Sequence, residues 1–233
     1  FRRVLSDHAY LRQVRVPVIA QRYAPGPREA GIFYYRHPGQ HRGRILAITE
    51  KVFPVVIGDG RSTLEDLIRN DPRARFLAGR YLRRHADRAR EILPPGLPFR
   101  LVETGNHAQG CIFRDGARLL SPSLEARIDE ISRSLTGFFV GRYDLRYASE
   151  ADLRDGRAFQ IVELNGAASE ATSIYDARHS VFAAYRMLFR QWALVFAIGA
   201  ENRRRGVAPT PLPTLWRLWR QNRAWIASYP LAH

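Results

Sequence analysis

Apolar and polar positions alternate in seven stretches of the chain, and this period of two is typical of β-strands. The predicted strands cover residues 14–22, 30–36, 45–51, 99–103, 110–113, 140–147 and 158–164. Elsewhere apolar residues recur every three or four positions, which predicts helices at residues 64–70, 74–92, 122–139, 176–202 and 215–226. Because strands and helices do not alternate strictly, the pattern favours an α+β fold.

The segments between these elements carry turn and capping signals. Ser62 or Thr63 can cap the predicted helix at residues 64–70. The Asp115-Gly116 pair predicts a hairpin turn. Residues 148–157 form a polar loop, so the strands on either side of it are expected to pair antiparallel.

The last two predicted strands carry the candidate chemistry. Residues two apart on a strand share a face, so Arg142, Asp144 and Arg146 point one way. Glu163 and Asn165 do the same on the next strand. An antiparallel pair would therefore gather carboxylates, an amide oxygen and guanidinium groups on one sheet face. Oxygen ligands of this kind suit Mg²⁺, and arginines suit a phosphoryl group.

The same alternation predicts that Val162 and Leu164 face the other side of the sheet. A second interpretation is a pair of surface strands with ordinary ion pairs. Spacing alone leaves both interpretations open.

The segment GRYDLRY…FQIVELNGAASEATSIYD resembles the metal-binding end of the ATP-grasp fold, as in D-alanine–D-alanine ligase and related carboxylate–amine ligases. The shared pattern is Arg-x-Asp, then Glu-x-Asn, then a loop rich in glycine and serine. The resemblance implies that Arg142 contacts phosphate, that Asp144, Glu163 and Asn165 bind metal, and that Glu163 bridges two ions. It also implies an acceptor-substrate pocket lined by the following loop, which includes Gly166, Ser169 and Ser173.

Two upstream segments agree with this resemblance. VPVIAQRYAPGPRE resembles the strand and hinge that hold adenine in the family, which implies nucleotide contacts from Gln21, Arg22, Tyr23 and Ala24. The ribose contact falls on Glu29, although the family spacing without an insertion would place it at Arg28. ITEKVFPVVIGDGRSTLEDLIRNDPRAR resembles the cyanophycin-synthetase branch and implies a phosphate contact from Lys51.

A fourth segment, GNHAQG at residues 105–110, resembles another stretch of that branch. It implies that His107 faces the nucleotide or the substrate; a structural histidine is the alternative. Together the four segments lie between about residues 14 and 205 and follow the family order.

The resemblance implies an ATP-dependent ligase. ATP would phosphorylate a carboxylate to an acyl phosphate, and an amine or thiol would displace the phosphate, with Mg²⁺ or Mn²⁺ as the metal. We expect an ATP-grasp domain at residues 1–205, a basic tail at 206–233, and small-molecule carboxylate and amine substrates. No lysine and glycine-rich loop precede the hinge segment, so we expect the C-terminal portion of a longer ligase. A truncated, inactive fragment is the alternative.

The net charge of the chain is large but says little about its function. The chain has 37 Lys and Arg against 22 Asp and Glu, a net charge of +15. Lys51 is the only lysine, and the arginines are spread through every segment, so we do not favour nucleic acid as a partner. The tail sequence LWRLWRQNRAWI is expected to pack its tryptophans on its own domain. Contact with an anionic membrane or single-stranded nucleic acid is the alternative.

Two further features bear on the compartment. The longest apolar run, at residues 192–200, is shorter than the roughly 20 residues that a membrane-spanning helix needs. The single cysteine, Cys111, is predicted to be a small buried hydrophobic residue and suits a reducing compartment. We therefore predict a cytoplasmic protein.

Overall fold

The computed structural model describes residues 19 and 21–228. Residues 24–204 form one compact unit, and the described residues on either side belong to a second. The strands of the first unit are β1 (Arg28–Tyr35), β2 (Arg44–Val52), β3 (Val55–Ile57), β4 (Pro98–Arg100), β5 (Ile112–Asp115), β6 (Val140–Tyr147) and β7 (Phe159–Asn165). Its helices are α1 (Leu64–Asn70), α2 (Ala78–Arg84), α3 (Pro122–Ser134), α4 (Glu150–Arg154) and α5 (Val181–Arg204). The predicted α+β class is confirmed.

Five strands form one antiparallel sheet in the order β5-β2-β1-β6-β7, and β3 pairs with β4 separately. The predicted antiparallel pairing of β6 with β7 is confirmed. The segment between them is not a plain loop, because Ser149 caps the short helix α4 there. The predicted strand at residues 14–22 lies mostly outside the described residues, and residues 19, 21 and 22 have no regular structure.

One face of the sheet packs on α3 and α4. Apolar residues of β1, β2 and β6 meet Leu124 and Ile128 of α3 and Leu153 of α4 in one buried cluster. Each fully buried side chain of this size contributes roughly 1.5–3 kcal/mol to folding. Tyr34 also donates a hydrogen bond of 2.8 Å to Asp129, which pairs these two buried polar groups.

The opposite face of the sheet is divided. At one end α5 packs on it, with Ile198 against Phe33 and Val140. At the other end the face is polar and forms the candidate site described below. The core on one face and the helix on the other hold the central strands rigidly beneath that site.

Helix α5 begins later than the predicted residue 176. Asp176 is 2% exposed and has extended backbone angles. Its carboxylate accepts hydrogen bonds from the Asp115 amide and from the Arg114 and Arg178 guanidinium groups. Hydrogen bonds from Arg178, followed by the backbone amides, hold the pKa of Asp176 well below its ordinary value. These contacts anchor the chain at the end of β5 and delay the helix to Val181.

A smaller cluster of α1, α2, β3 and β4 packs beside the sheet. The predicted cap of α1 is confirmed at Thr63, which forms a capping box with Asp66. Cys111 is fully buried in this cluster, as predicted, and burial raises the pKa of its thiol to about 11. The predicted helix at residues 74–92 is a 3-10 turn followed by α2 only, because Ala89 and Glu91 offer their carbonyls to the first turn of α1.

Two other expectations are wrong. Asp115-Gly116 does not join a hairpin: β5 pairs with β2, and a 3-10 turn leading into α3 follows Gly116. The second concerns membrane spans. By length and composition, α5 could cross a membrane, although a single such helix is weak evidence. The apolar run at residues 192–200 is only part of this helix. Ile198 packs on the sheet, whereas Phe182, Phe189 and Phe196 are 72–86% exposed.

The described residues of the second unit include the helix α6 (Leu212–Ser228). None of its residues is buried, and its tryptophans are 42–60% exposed. The expected packing of the tryptophans on the ATP-grasp domain stays a prediction. The Trp216 and Trp219 rings stack on each other at 4.8 Å, and the Arg223 guanidinium lies 5.0 Å from the Trp219 ring centre.

Candidate functional site

The polar end of the sheet is built from rows of paired residues that cross the strands. Glu29 of β1 lies between Lys51 of β2 and Arg146 of β6. In the next row Gly31 pairs with Asp144, and Asp144 pairs with Glu163 of β7. Because side chains two apart share a face, successive rows project their polar groups to the same side. Four strands thus contribute to one site.

These groups form a continuous network of ion pairs. The Lys51 ammonium lies 2.8 Å from a Glu29 oxygen and 3.2 Å from an Asp144 oxygen. Arg142 Nε is 3.0 Å from Asp144, and Arg146 Nε is 3.4 Å from Glu29. Their side chains are 6–17% exposed, so solvent screens these charges weakly. The carboxylates and cations neutralise one another within the sheet face.

A cavity of about 540 Å³ opens over this network. Its charged lining consists of Glu29, Asp144 and Glu163 against Lys51, Arg142 and Arg146. The predicted shared face of β6 and β7 is therefore present, and it continues onto β1 and β2.

Glu163 differs from the other carboxylates of the cavity. It is exposed, and its carboxylate forms no ion pair or hydrogen bond with any residue in the part of the chain that is described. Asn165 donates to Asp144 at 3.5 Å, which leaves its amide oxygen available. Within the described residues no three His, Cys, Asp or Glu side chains are grouped as a metal site. A metal here would need the Asn165 oxygen, water or ligand oxygens to complete its shell.

The register of β7 corrects one expectation. Asp144 pairs with Glu163 but Leu145 pairs with Ile161, so Val162 is an extra residue in a bulge. Val162 consequently lines the cavity beside Glu163 and does not face away from it. Leu164 is 42% exposed, since β7 is at the edge of the sheet.

The loop at residues 104–110 closes one side of the cavity. Asn106 caps a 3-10 turn that holds His107 at the cavity lining. The His107 ring lies 5.2 Å from the Phe113 ring and 6.0 Å from the Tyr175 ring. Gly105 packs so closely on the Glu29–Lys51 pair that a Cβ atom at this position would collide with both side chains. This explains a glycine at the start of the GNHAQG segment.

Other predicted site residues lie apart from the cavity lining. Gly166 is exposed, the Ser169 hydroxyl donates to the Gly166 carbonyl, and Ser173 lines a different cavity. The Ala24 carbonyl accepts a 2.9 Å hydrogen bond from Arg146. Gln21, Arg22 and Tyr23 belong to the second unit and have no regular structure.

Several contributors were not assigned a role from the sequence. Arg146 binds Glu29 and the carbonyls of Ala24 and Glu103, so it joins β6 to two neighbouring segments. Buried Gln191 of α5 accepts from the Ala171 amide and donates to the Ser169 carbonyl, which holds the loop after β7. The alternation on β6 pointed to Arg146, whereas nothing in the local sequence pointed to Gln191.

No protein-family profile matches the chain, and no curated protein matches it in sequence. Fourteen chains of solved structures match it. One is a bifunctional glutathione synthetase from Pasteurella multocida, at 17% identity and a TM-score of 0.42. The alignment covers 72% of this chain and 24% of that protein, so the chain spans about a quarter of its length. A similarity at this level assigns no family.

Proposed function

We propose that the chain carries the nucleotide- and metal-binding site of an ATP-dependent ligase that joins a carboxylate to an amine or thiol. One observation carries the proposal: residues that four separate segments suggested for nucleotide, phosphate or metal contacts line a single cavity. They are Glu29, Lys51, His107, Arg142, Asp144 and Glu163. An accidental pair of polar surface strands would not collect side chains from β1, β2 and the loop at 104–110 as well.

The donor set fits Mg²⁺ or Mn²⁺. Asp144 and Glu163 are direct partners across β6 and β7, and Asn165 follows on the same side. We assign these three to the metal, with Glu163 contributing the carboxylate that has no partner among the described residues. When bound, the metal supplies charge neutralisation and orientation of phosphate oxygens. Two carboxylates suffice for Mg²⁺, because it retains water and binds substrate phosphates.

Lys51 and Arg142 would offset the charge of the phosphates. The Arg142 guanidinium presents a planar fork that suits two phosphate oxygens, and the Lys51 ammonium presents a compact charge. Both cations form an ion pair with Asp144, and Lys51 forms a second ion pair with Glu29. This arrangement keeps the cations in position before a ligand arrives, as electrostatic preorganisation requires.

In the proposed reaction a carboxylate oxygen of the substrate attacks the γ-phosphorus of ATP, and the bond to ADP breaks. The amine or thiol then attacks the acyl carbon of the acyl phosphate, and inorganic phosphate leaves with the carbon–oxygen electron pair. The first step is a phosphoryl transfer, in which a protein acts mainly by positioning and by neutralising charge. The same proposal assigns Glu29 to the ribose, His107 to the nucleotide or the substrate, and the loop at residues 166–173 to the acceptor.

The test is magnesium-dependent binding of a non-hydrolysable ATP analogue, measured by isothermal titration calorimetry. Glu163→Gln should abolish the magnesium dependence and weaken binding at least about tenfold, the scale typical of disrupted metal sites. Glu130→Gln, another exposed carboxylate, is the matched control and should bind like the original chain. Unchanged magnesium-dependent binding by Glu163→Gln, with an unchanged melting curve, would contradict the metal assignment.

A second candidate function rests on α6. The helix carries Arg217, Arg220 and Arg223, contains no Asp or Glu, and buries none of its tryptophans. A basic amphipathic helix with exposed tryptophans suits the surface of an anionic membrane. We propose peripheral membrane contact through this helix.

Co-sedimentation with phosphatidylcholine vesicles, with and without phosphatidylserine, tests the membrane proposal. Binding should require phosphatidylserine and should fall about fivefold for each of the three arginines replaced by Gln. Arg203→Gln, at the end of α5, is the charge-matched control. Equal binding to neutral vesicles, or preference for a single-stranded RNA oligonucleotide, would contradict it.

A further inference from the structure

A second cavity, of about 380 Å³, lies beside α5. Its lining shares no residue with the cavity described above. It includes Arg186 and Arg190 of α5, Met187 between them, and Ser173 and His179 from the segment before the helix. No motif in the sequence pointed to these residues as a group.

The two arginines of this cavity have no acidic partner in the described part of the chain. Arg186 and Arg190 are four residues apart on α5, so their side chains lie on the same face of the helix. Neither guanidinium forms an ion pair or a hydrogen bond with a residue in the described range 21–228. Two like charges at this spacing repel each other. The lining therefore presents two exposed positive charges that no described residue pairs with.

Ser173 supplies an independent observation. The residue is 3% exposed and lines the cavity, and its hydroxyl has no hydrogen-bond partner among the described residues. That oxygen is not one of the fully enclosed side-chain atoms that lack a partner, so it is open to the cavity. A ligand with an acceptor oxygen would satisfy this donor.

The acidic group in the lining is already engaged. Asp115 lies 3.3 Å from His179 Nε2 and accepts a hydrogen bond from the Ala117 amide. Neighbouring Asp176 is bound by Arg114 and Arg178. Neither carboxylate forms an ion pair with Arg186 or Arg190, so the positive charge of these two arginines remains available.

We infer that this cavity binds a small oxyanion, a carboxylate or a phosphate group. The Arg186 and Arg190 guanidinium groups would bind its oxygens, and the Ser173 hydroxyl would donate a further hydrogen bond. The inference rests on the lining alone and holds whether or not the first cavity binds a nucleotide.

The only methionine of the sequence gives a direct readout, because Met187 lines this cavity. The chain is labelled with ¹³C-methyl methionine, and the Met187 signal is identified by its loss in Met187→Leu. Inorganic phosphate and succinate are titrated separately at constant ionic strength, with sodium chloride as the reference. We expect a saturable shift of the Met187 signal with at least one probe, and the probe that binds more tightly identifies phosphate or carboxylate as the ligand class.

Matched variants separate specific binding from general attraction. Arg186→Gln/Arg190→Gln should bind at least about tenfold more weakly, because two charge-assisted contacts are lost. Arg203→Gln/Arg204→Gln removes the same charge from the end of the helix and should bind like the original chain. Arg186→Lys/Arg190→Lys keeps the charge without the planar fork and should bind with intermediate affinity. A Met187 signal that responds to neither probe, or equal weakening in both Gln pairs, would overturn the inference.

Discussion

The two faces of strand β6 are both buried but are satisfied in different ways. Tyr143, Leu145 and Tyr147 are 0–2% exposed and pack in the apolar core. Asp144 and Arg146, on the other face, are 4% and 6% exposed and belong to the ion-pair network. Burial alone therefore does not distinguish a structural face from a functional one.

The difference lies in what each face contributes to stability. Burying apolar groups is favourable, whereas removing paired charges from water costs about as much as their attraction returns. A charged network of this size gives the fold little net stability. Its presence across three strands is better explained by a ligand that needs these charges. The comparison predicts that the two faces respond differently to substitution.

The largest effect is expected from Asp144→Asn. This change leaves Arg142 without a carboxylate and Lys51 with Glu29 alone, and breaking a buried pair costs about 3–5 kcal/mol. Urea unfolding followed by circular dichroism measures the loss. Asp155→Asn, an exposed carboxylate paired with Arg157, should change stability by less than about 0.5 kcal/mol. If Asp144→Asn lowered the free energy of unfolding by less than about 0.5 kcal/mol, the pairing of Asp144 with Lys51 and Arg142 would not be needed to offset their burial.

On the core face, Leu145→Ala should lower the free energy of unfolding by about 2–5 kcal/mol, because it leaves a cavity in the sheet core. The folded protein should still bind the magnesium complex of the ATP analogue with unchanged affinity. Leu164→Ala on the exposed edge strand is the control and should cost less than about 1 kcal/mol. Weaker nucleotide binding by folded Leu145→Ala would contradict the idea that the apolar face serves stability and the charged face serves binding.

Lys51→Met removes a charge from this face but leaves each carboxylate with a cationic partner. Glu29 remains paired with Arg146, and Asp144 remains paired with Arg142. Stability should change by less than about 1.5 kcal/mol. Binding of the ATP analogue should weaken at least about tenfold, because a charge-assisted phosphate contact is lost. The same urea and calorimetric measurements apply. A large loss of stability with intact binding would make Lys51 a structural residue.

The last prediction concerns the pH dependence of stability at Asp176. Its folded pKa lies below the ordinary value of 3.8, so its stabilising contribution is present above that value and is lost as the pH falls through the folded pKa. Asp176→Asn should therefore be less stable than the original chain at pH 7. The difference should shrink as the pH falls below about 4, as urea unfolding at a series of pH values would show. A constant difference would contradict the ionised state of Asp176.

The period of two in the sequence predicted the strands and the shared face of β6 and β7, because strand geometry decides which residues share a face. It missed the bulge at Val162, since bulges depend on how two strands are aligned. It also missed that Glu29 lies between Lys51 and Arg146, which depends on the register between strands that are distant in sequence. Glu29 and Lys51 were predicted as site residues from the resemblance to the ATP-grasp family, not from the pairing of their strands.

Helix boundaries and the second cavity were less predictable. The residues from 176 to 180 have no local signal that they are anchored to β5, and residues 85–92 leave the helical path to reach α1. Arg186 and Arg190 read as two ordinary exposed arginines in a chain rich in arginine. Their lack of partners is a property of the folded surroundings and could not be inferred from neighbouring residues.

Gly31 occupies the centre of the candidate site, where β1 crosses beneath Asp144. A Cβ atom there would lie 3.1 Å from an Asp144 oxygen and 3.2 Å from the Arg142 side chain, closer than either contact normally allows. The strand thus leaves room there for two side chains of its neighbour. A side chain at Gly31 would require the Asp144 carboxylate and the Arg142 chain to move by a few tenths of an ångström, so the packing of the ion-pair network depends on a residue that carries no reactive group.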